Sequence, residues 1–466
     1  MKVERAPRQA GVLTSTFRAW APRGAVLAAF GGCVASCSLT QWDVLESNWH
    51  LDASTNMKTP SDPVVRCGLV MPPDSGADDR ASCVFGAGAL ASETLGVPSD
   101  VSAAIPIRHV IVLMKENRSF DHLLGSLAAE GNPDVEPVPP DFVNVDPKGV
   151  VVGRSRATTT CIDADPDHHW YATHRAIAHG AMSGFVTVAA LSTATEGHFV
   201  MKSYDRETLP FYYWLASEFA LNDRHFAAMP SGTFANRNFL LFGTNAGIVN
   251  TGHHFPDPST PSIFEALTKA GYTWGAYTDG DPFDGALDWD HSDPGVHHFD
   301  EILTALDRGE LPNVAFVDGV DRVSDDHPTA DLQVGEAWVH QIFEHAIKSP
   351  EWPHLAVIWT YDEAGGFADH VPPPDGCVAR PEDARYFERG PRVPFVVISP
   401  WAKRHYVSHT VQDHTAITRF IETIFDLPAL TARDANSPAL LDMFDFSCGR
   451  DMSPPVAPEP GSGGCK

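Results

Sequence analysis

Residues 107–125, IRHVIVLMKENRSFDHLLG, join an apolar run to an abrupt polar cluster. The run Val110-Ile111-Val112-Leu113-Met114 is short, continuous and rich in β-branched residues. It predicts a strand buried on both faces, as in a parallel sheet. Lys115, Glu116, Asn117, Arg118, Ser119, Asp121 and His122 follow it. Open α/β sheets bind ligands just beyond the carboxyl ends of their strands. Glu116 and Asn117 stand at that point, with oxygens suited to a hard divalent cation. On the pattern alone, a surface turn with an ordinary N-cap is an equal alternative.

The same alternation recurs down the chain. Residues 262–270 read as helix, 272–277 as strand, 299–308 as helix and 313–317 as strand. Residues 335–348 form an amphipathic helical pattern. LAVIWT (355–360) reads as a buried strand that stops at Tyr361-Asp362-Glu363, and VPFVVIS (393–399) as another. Residues 415–425 read as helix. This βα order predicts an α/β fold: a mainly parallel central sheet with helices on both faces. Asp362 and Glu363 then end their strand as Glu116 and Asn117 end theirs, and oxygen donors at one sheet edge are what a metal site needs. Residues 170–182 and the aromatic-rich stretch 208–219 read as helices, the second as core.

Composition narrows the function. The 466 residues carry 33 Lys+Arg against 60 Asp+Glu, a formal net charge of −27. That argues against nonspecific nucleic-acid binding and against electrostatic adhesion to an anionic membrane. Lys2, Arg5, Arg8, Arg18 and Arg23 make a basic leader before GAVLAAFGGCVAS (24–36), too short for a membrane span. Residues 1–37 are therefore expected to be an export signal, and Val34-Ala35-Ser36-Cys37 resembles a lipoprotein box. The other expected segments are an extension over 38–104, a catalytic domain over 105–435 and a tail over 436–466. The protein would be periplasmic, a cell-surface lipoprotein or secreted. Of the eight cysteines none forms a CxxC pair. Cys67 with Cys83 is a pairing suggested by proximity alone.

Two further patterns bear on chemistry. In AAMPSGTFANRN (227–238), Thr233 follows a turn at the start of a helix. A helix N-terminus can receive a phosphate oxyanion, although Thr at that place is commonly just a cap. Asp-His doublets occur at 121–122, 167–168, 290–291, 326–327, 369–370 and 413–414. Asp and His ligate metals, and His also binds phosphate or moves protons. Six doublets in the loops of one sheet outweigh any single one as a signal, without all needing to converge.

The segments IRHVIVLMKENRSFDHLLG, DPDHHW, SGTFANRNFLLFGT, DDHPTADLQVGEAWV, WTYDEAGGFADHVPPP, GPRVPFVVISPW and QDHTAITRFIETIF together resemble the bacterial phosphoesterase family of secreted phospholipases C and certain acid phosphatases. They span residues 105 to 430 in the family's order. The resemblance implies an alkaline-phosphatase-like α/β fold and a divalent metal: calcium, magnesium, manganese or zinc. It matches Glu116, Asn117, Asp362 and Glu363 to metal ligands, and Thr233 to a Ser or Thr nucleophile that also touches the metal. It matches His168, His327 and His291 to histidines around the phosphoryl group. His291 aligns only with a gap, and His297 and His298 rival it. Ala235 departs from the family, where proline is usual.

The implied reaction is attack by Thr233 on phosphorus, a phospho-threonine intermediate, proton donation by His327, and hydrolysis by water. Asn117 would help hold the charged oxygens. The substrate is a phosphodiester if the chain is a phospholipase C, and a phosphomonoester if it is an acid phosphatase. The larger phospholipases carry further C-terminal domains, which weakens the lipid reading here. Partners are thus a phosphoester substrate, with a membrane engaged only through a lipid anchor or a lipid substrate. A non-catalytic protein that binds a phosphorylated ligand is the third reading. The presence of Thr233, Glu116, Asp362 and Glu363 counts against it.

Overall fold

A computed structural model describes residues 68–250, 256–257, 259–281, 287, 291–447 and 452–465. The expected leader, with Cys33 and Cys37, lies outside the described residues, as do Cys67, Asp290 and Cys448. None of the described helices is long and apolar enough to cross a membrane.

Eight strands form the central sheet: β1 (His109–Lys115), β2 (Ala220–Asn222), β3 (Trp274–Tyr277), β4 (Val296–His297), β5 (Val314–Val317), β6 (Leu355–Tyr361), β7 (Phe395–Ile398) and β8 (Tyr406–Ser408). Their spatial order is β8-β2-β7-β6-β1-β5-β3-β4. From β6 through β1, β5 and β3 to β4 every pairing is parallel. β7 runs antiparallel to both β6 and β2, and β8 pairs parallel with β2. The sheet is mainly parallel, as the βα alternation predicts.

Every residue of β6 and all but the first of β1 are buried, on both pleat faces. A strand buried on both faces needs a layer on each side. The main helices are α1 (Phe120–Leu124), α2 (Trp170–Ile177), α3 (Phe185–Ser192), α4 (Pro210–Glu218), α5 (Thr233–Phe242), α6 (Ile263–Ala270), α7 (Phe299–Arg308), α8 (Leu332–Ala346) and α9 (Thr415–Ile424). α8 packs on α4 and α7, while α5 packs on α6 and α9. Local chemistry sets several ends. Ser262 accepts from Glu265 N to start α6, and Gly271 closes it at φ +82°. Asp331 accepts from Gln333 N to start α8. α2 stops at Ile177, short of the expected 182, because Ala178 and His179 adopt left-handed φ values of +48° and +56°.

The register places the site. Lys115 pairs with Tyr361, the last residues of the adjacent parallel strands β1 and β6. Glu116-Asn117 and Asp362-Glu363 therefore leave the sheet side by side.

The disulfides correct one expectation. Cys83 bonds to Cys377, not to Cys67. Proximity in sequence does not constrain a bridge that closes distant segments of a folded chain. A second bridge joins Cys161 to Cys465. The end of the chain is fastened there: Asp331 Oδ2 accepts from the backbone N–H of Gly464 and Cys465 at 2.7 and 3.0 Å.

Candidate active site

Glu116, Asn117, Thr233, Asp362 and Glu363 meet at the carboxyl edge of β1 and β6, and all are buried. Gly232, not Thr233, occupies the N-cap of α5, and the helix start has no side-chain cap bond. The Thr233 hydroxyl instead donates to Glu116 Oε2 at 3.1 Å. The turn before it is pinned by Asn236, whose amide donates to Ser231 O at 2.8 Å and accepts from Met229 N at 2.9 Å. Ala235 is buried in the first helical turn, so the turn closes without the family's usual proline.

Asn117 is the centre of the cluster. Its φ of +58° is left-handed, a conformation Asn tolerates better than most residues. Its N–H donates to Asp362 Oδ1 at 3.3 Å. One end of its side-chain amide lies 2.8 Å from Glu116 Oε2, 3.0 Å from Asp362 Oδ1 and 3.0 Å from Glu363 Oε1. The other end lies 3.0 Å from His327 Nε2. With nitrogen facing the carboxylates, the amide bridges them by hydrogen bonds. With oxygen facing them, four oxygens crowd together, an arrangement that a bound cation or carboxyl protonation would reconcile.

The electrostatics point the same way. Burial raises the Asp362 carboxyl above its ordinary range, opposed mainly by Arg237. Burial and then the Asp362 charge push Glu363 well above its own. Asp362 Oδ2 is buried without a hydrogen-bond partner. Hard oxygens at high negative charge density fit a divalent cation, and Glu116, Asn117, Thr233, Asp362 and Glu363 are the residues able to hold it.

Two histidines border this cluster. His168 Nδ1 is tied to Pro166 O at 2.7 Å, and its Nε2 lies 3.6 Å from Glu363 Oε1. His327 Nδ1 is likewise tied to Pro328 O, leaving Nε2 toward Asn117. Asp165 links them, with Oδ1 3.6 Å from His168 Nδ1 and Oδ2 3.8 Å from His327 Nε2. Burial lowers the His327 pKa, and Asp165 opposes that shift. The structure does not bring His291 to the cluster. It is exposed, and its ring stacks on the rival His298 at 4.3 Å.

Two supporting residues are not singled out for the site by the sequence. Arg237 donates to Glu116 Oε1 at 2.9 Å and to Asp318 Oδ1 at 2.6 Å. Its signal is a spacing of four from Thr233, which puts both on one helix face. His414 lies 2.6 Å from the Asp362 carbonyl through Nε2, and burial depresses its pKa to about 4. Apart from His414, the described side chains of the remaining doublets 121–122, 369–370 and 413–414 go elsewhere. Asp121, Asp369 and His370 gather on Arg392, which contacts Asp121 Oδ1 at 2.8 Å and Asp369 Oδ1 at 2.9 Å. Asp413 is held by Arg389 and Arg433 at 2.6 and 2.9 Å.

A mainly parallel α/β sheet with an oxygen-rich, histidine-bordered cluster at its carboxyl edge carries the groups that metal-assisted hydrolysis requires. Residues 107–428 match the model of the Phosphoesterase family, and the chain belongs to that family. It is a phosphoric ester hydrolase. Non-specific phospholipase C3 of Arabidopsis thaliana is 30% identical over 407 residues, covering 77% of this chain and 77% of that protein. Phospholipase C B of Mycobacterium tuberculosis is 29% identical over 427 residues, covering 76% and 80%. Among solved structures, a protein in the alkaline phosphatase superfamily from Vibrio parahaemolyticus is 10% identical with a TM-score of 0.37, covering 72% of this chain and 69% of that one.

Proposed function

We propose that this protein is a metal-dependent phospholipase C that cleaves a phosphodiester through a phospho-threonine intermediate. The observation that carries the reading is the Thr233 hydroxyl at the first turn of α5, 3.1 Å from Glu116 Oε2 within the buried oxygen cluster. The relatives named phospholipase C favour the diester over the monoester.

The residues divide the work as follows. Glu116, Asn117, Thr233, Asp362 and Glu363 would hold the divalent metal. A divalent ion there would supply positive charge that lowers the Thr233 hydroxyl pKa and offsets charge on the phosphoryl oxygens. The Thr233 proton is directed to Glu116 Oε2, and Oγ1 forms the bond to phosphorus. The bond from phosphorus to the diacylglycerol oxygen breaks, and His327, as the imidazolium with its Nδ1–H on Pro328 O, protonates that oxygen from Nε2. His168, fixed by Pro166 O, directs Nε2 toward a phosphoryl oxygen. Water then attacks phosphorus and gives a proton to His327, and Thr233 recovers its own.

The leader expected over residues 1–37 and the two disulfides favour export to an oxidising compartment. The test is hydrolysis of p-nitrophenylphosphorylcholine and p-nitrophenyl phosphate by the purified protein, each with and without chelator. Chelator-sensitive release from the phosphorylcholine ester alone is expected. Preference for the simple phosphate would make the enzyme a phosphatase. Release from neither, with metal restored, would overturn both readings in favour of a narrower substrate or a binding protein.

A further inference from the structure

Directly behind the candidate site lies a second buried polar cluster that the proposed chemistry does not use. Three of its members each immediately precede a site residue: Lys115 before Glu116, Tyr361 before Asp362, and Asp326 before His327. Lys115 Nζ sits 2.9 Å from Asp326 Oδ2 and donates to Tyr212 Oη at 2.8 Å and Gly335 O at 2.9 Å. The Tyr212 and Tyr361 hydroxyls also donate to Asp326 Oδ2, at 2.9 and 2.5 Å. One carboxylate oxygen thus takes three donors, and all four side chains are buried.

The backbone gives this arrangement a consequence. Asp326 adopts φ +75°, left-handed for a residue with a Cβ. α8 comes so close that a Cβ on Gly335 would lie 1.7 Å from Asp326 Oδ1 and 2.7 Å from Lys115 Nζ. The preceding Asp325 ties the same loop to the site: its carbonyl accepts from Glu116 N at 2.8 Å, and its Oδ1 from His327 N at 3.0 Å. A fully buried ion pair generally stabilises a fold no better than apolar residues of the same shape.

We infer that Asp326, gripped by Lys115, Tyr361 and Tyr212, is a positioning residue that sets His327 to protonate the leaving group. This rests on the role proposed for His327. The cluster also links that proton donor to both strands that deliver the metal ligands, so the acid and the oxygen cluster share one rigid support.

The test uses the full-length metal-loaded enzyme with Asp326→Asn, Tyr361→Phe and His327→Ala, alone and combined. Asn keeps the shape and tolerates left-handed backbone. Tyr361→Phe removes one donor without deleting either charged partner, so it carries the test if Asp326→Asn does not fold. kcat/KM is measured on p-nitrophenylphosphorylcholine, whose acidic phenol leaves readily, and on dihexanoyl-phosphatidylcholine, whose alkoxide needs a proton. Each single variant should lower kcat/KM on the lipid about tenfold or more, and by less than about threefold on the phenyl ester. In the His327→Ala background neither should lower it further. Equal losses on both substrates, or the same loss with His327 already removed, would overturn the inference. If His327→Ala itself spares the lipid ester, the role of His327 falls and this inference falls with it.

Discussion

Arg237 and Thr233 hold opposite oxygens of one carboxylate. Arg237 Nη2 donates to Glu116 Oε1 at 2.9 Å, and the Thr233 hydroxyl donates to Oε2 at 3.1 Å. One turn of α5 thus presents the proposed nucleophile and fixes the Glu116 plane.

Arg237→Met should therefore destabilise the fold, and more severely when no metal is bound. Removing one partner of a buried pair leaves an uncompensated charge, at a cost of about 3–5 kcal/mol. A bound divalent cation would offset part of that charge. Melting curves with excess metal and with chelator should show a larger deficit for the variant under chelation. Equal deficits in the two conditions would mean that Glu116 does not face the metal.

Thr233→Ala should abolish turnover and leave melting nearly unchanged. The hydroxyl caps nothing, since Gly232 holds the N-cap, so the usual cost of a lost cap, about 1 kcal/mol, does not apply. Thr233→Ser keeps the hydroxyl and should retain measurable activity. A fully active alanine variant would remove Thr233 from the mechanism.

Stability should fall with rising pH because of Glu336. Burial pushes its carboxyl up to about 7, although it accepts from the N–H groups of Phe211, Tyr212 and Gly461. Between its ordinary pKa of 4.5 and about 7, the folded state binds more protons than the unfolded state. The slope of unfolding free energy against pH is then negative. The full effect is on the order of 3 kcal/mol. Urea unfolding from pH 5 to 8 should show this decline in the parent and a flatter profile in Glu336→Gln. Parallel profiles would assign the decline to other groups.

What the sequence made legible follows from how strongly each element signals itself. β1 and β6 are continuous apolar runs with polar residues at their ends, so both the strands and the oxygen pairs beyond them could be read directly. Ala220–Asn222 and Tyr406–Ser408 are too short to show periodicity, and they become strands only through pairing with each other and with Phe395–Ile398. The reversed direction of that last strand has no local signature. Arg237 and His414 escape assignment to the site because they act on it through Glu116 and the Asp362 carbonyl. The Asp-His doublets mislead in the opposite sense. The motif is uniform, but Arg392, Arg389 and Arg433 claim several of its carboxylates as structural partners.

Gly365→Ala should separate metal affinity from the chemistry of the nucleophile. Gly365 stands at φ +62°, and a Cβ there would lie 2.4 Å from Asn117 O. Both the left-handed backbone and the clash disfavour any side chain. The neighbour that must yield is the backbone of Asn117, whose amide lies among Glu116, Asp362 and Glu363. The variant should bind divalent metal more weakly by titration calorimetry, and excess metal should restore part of its activity, because Thr233 and His327 are untouched. Loss of activity with metal affinity intact would instead place Asn117 in contact with the phosphoryl group alone.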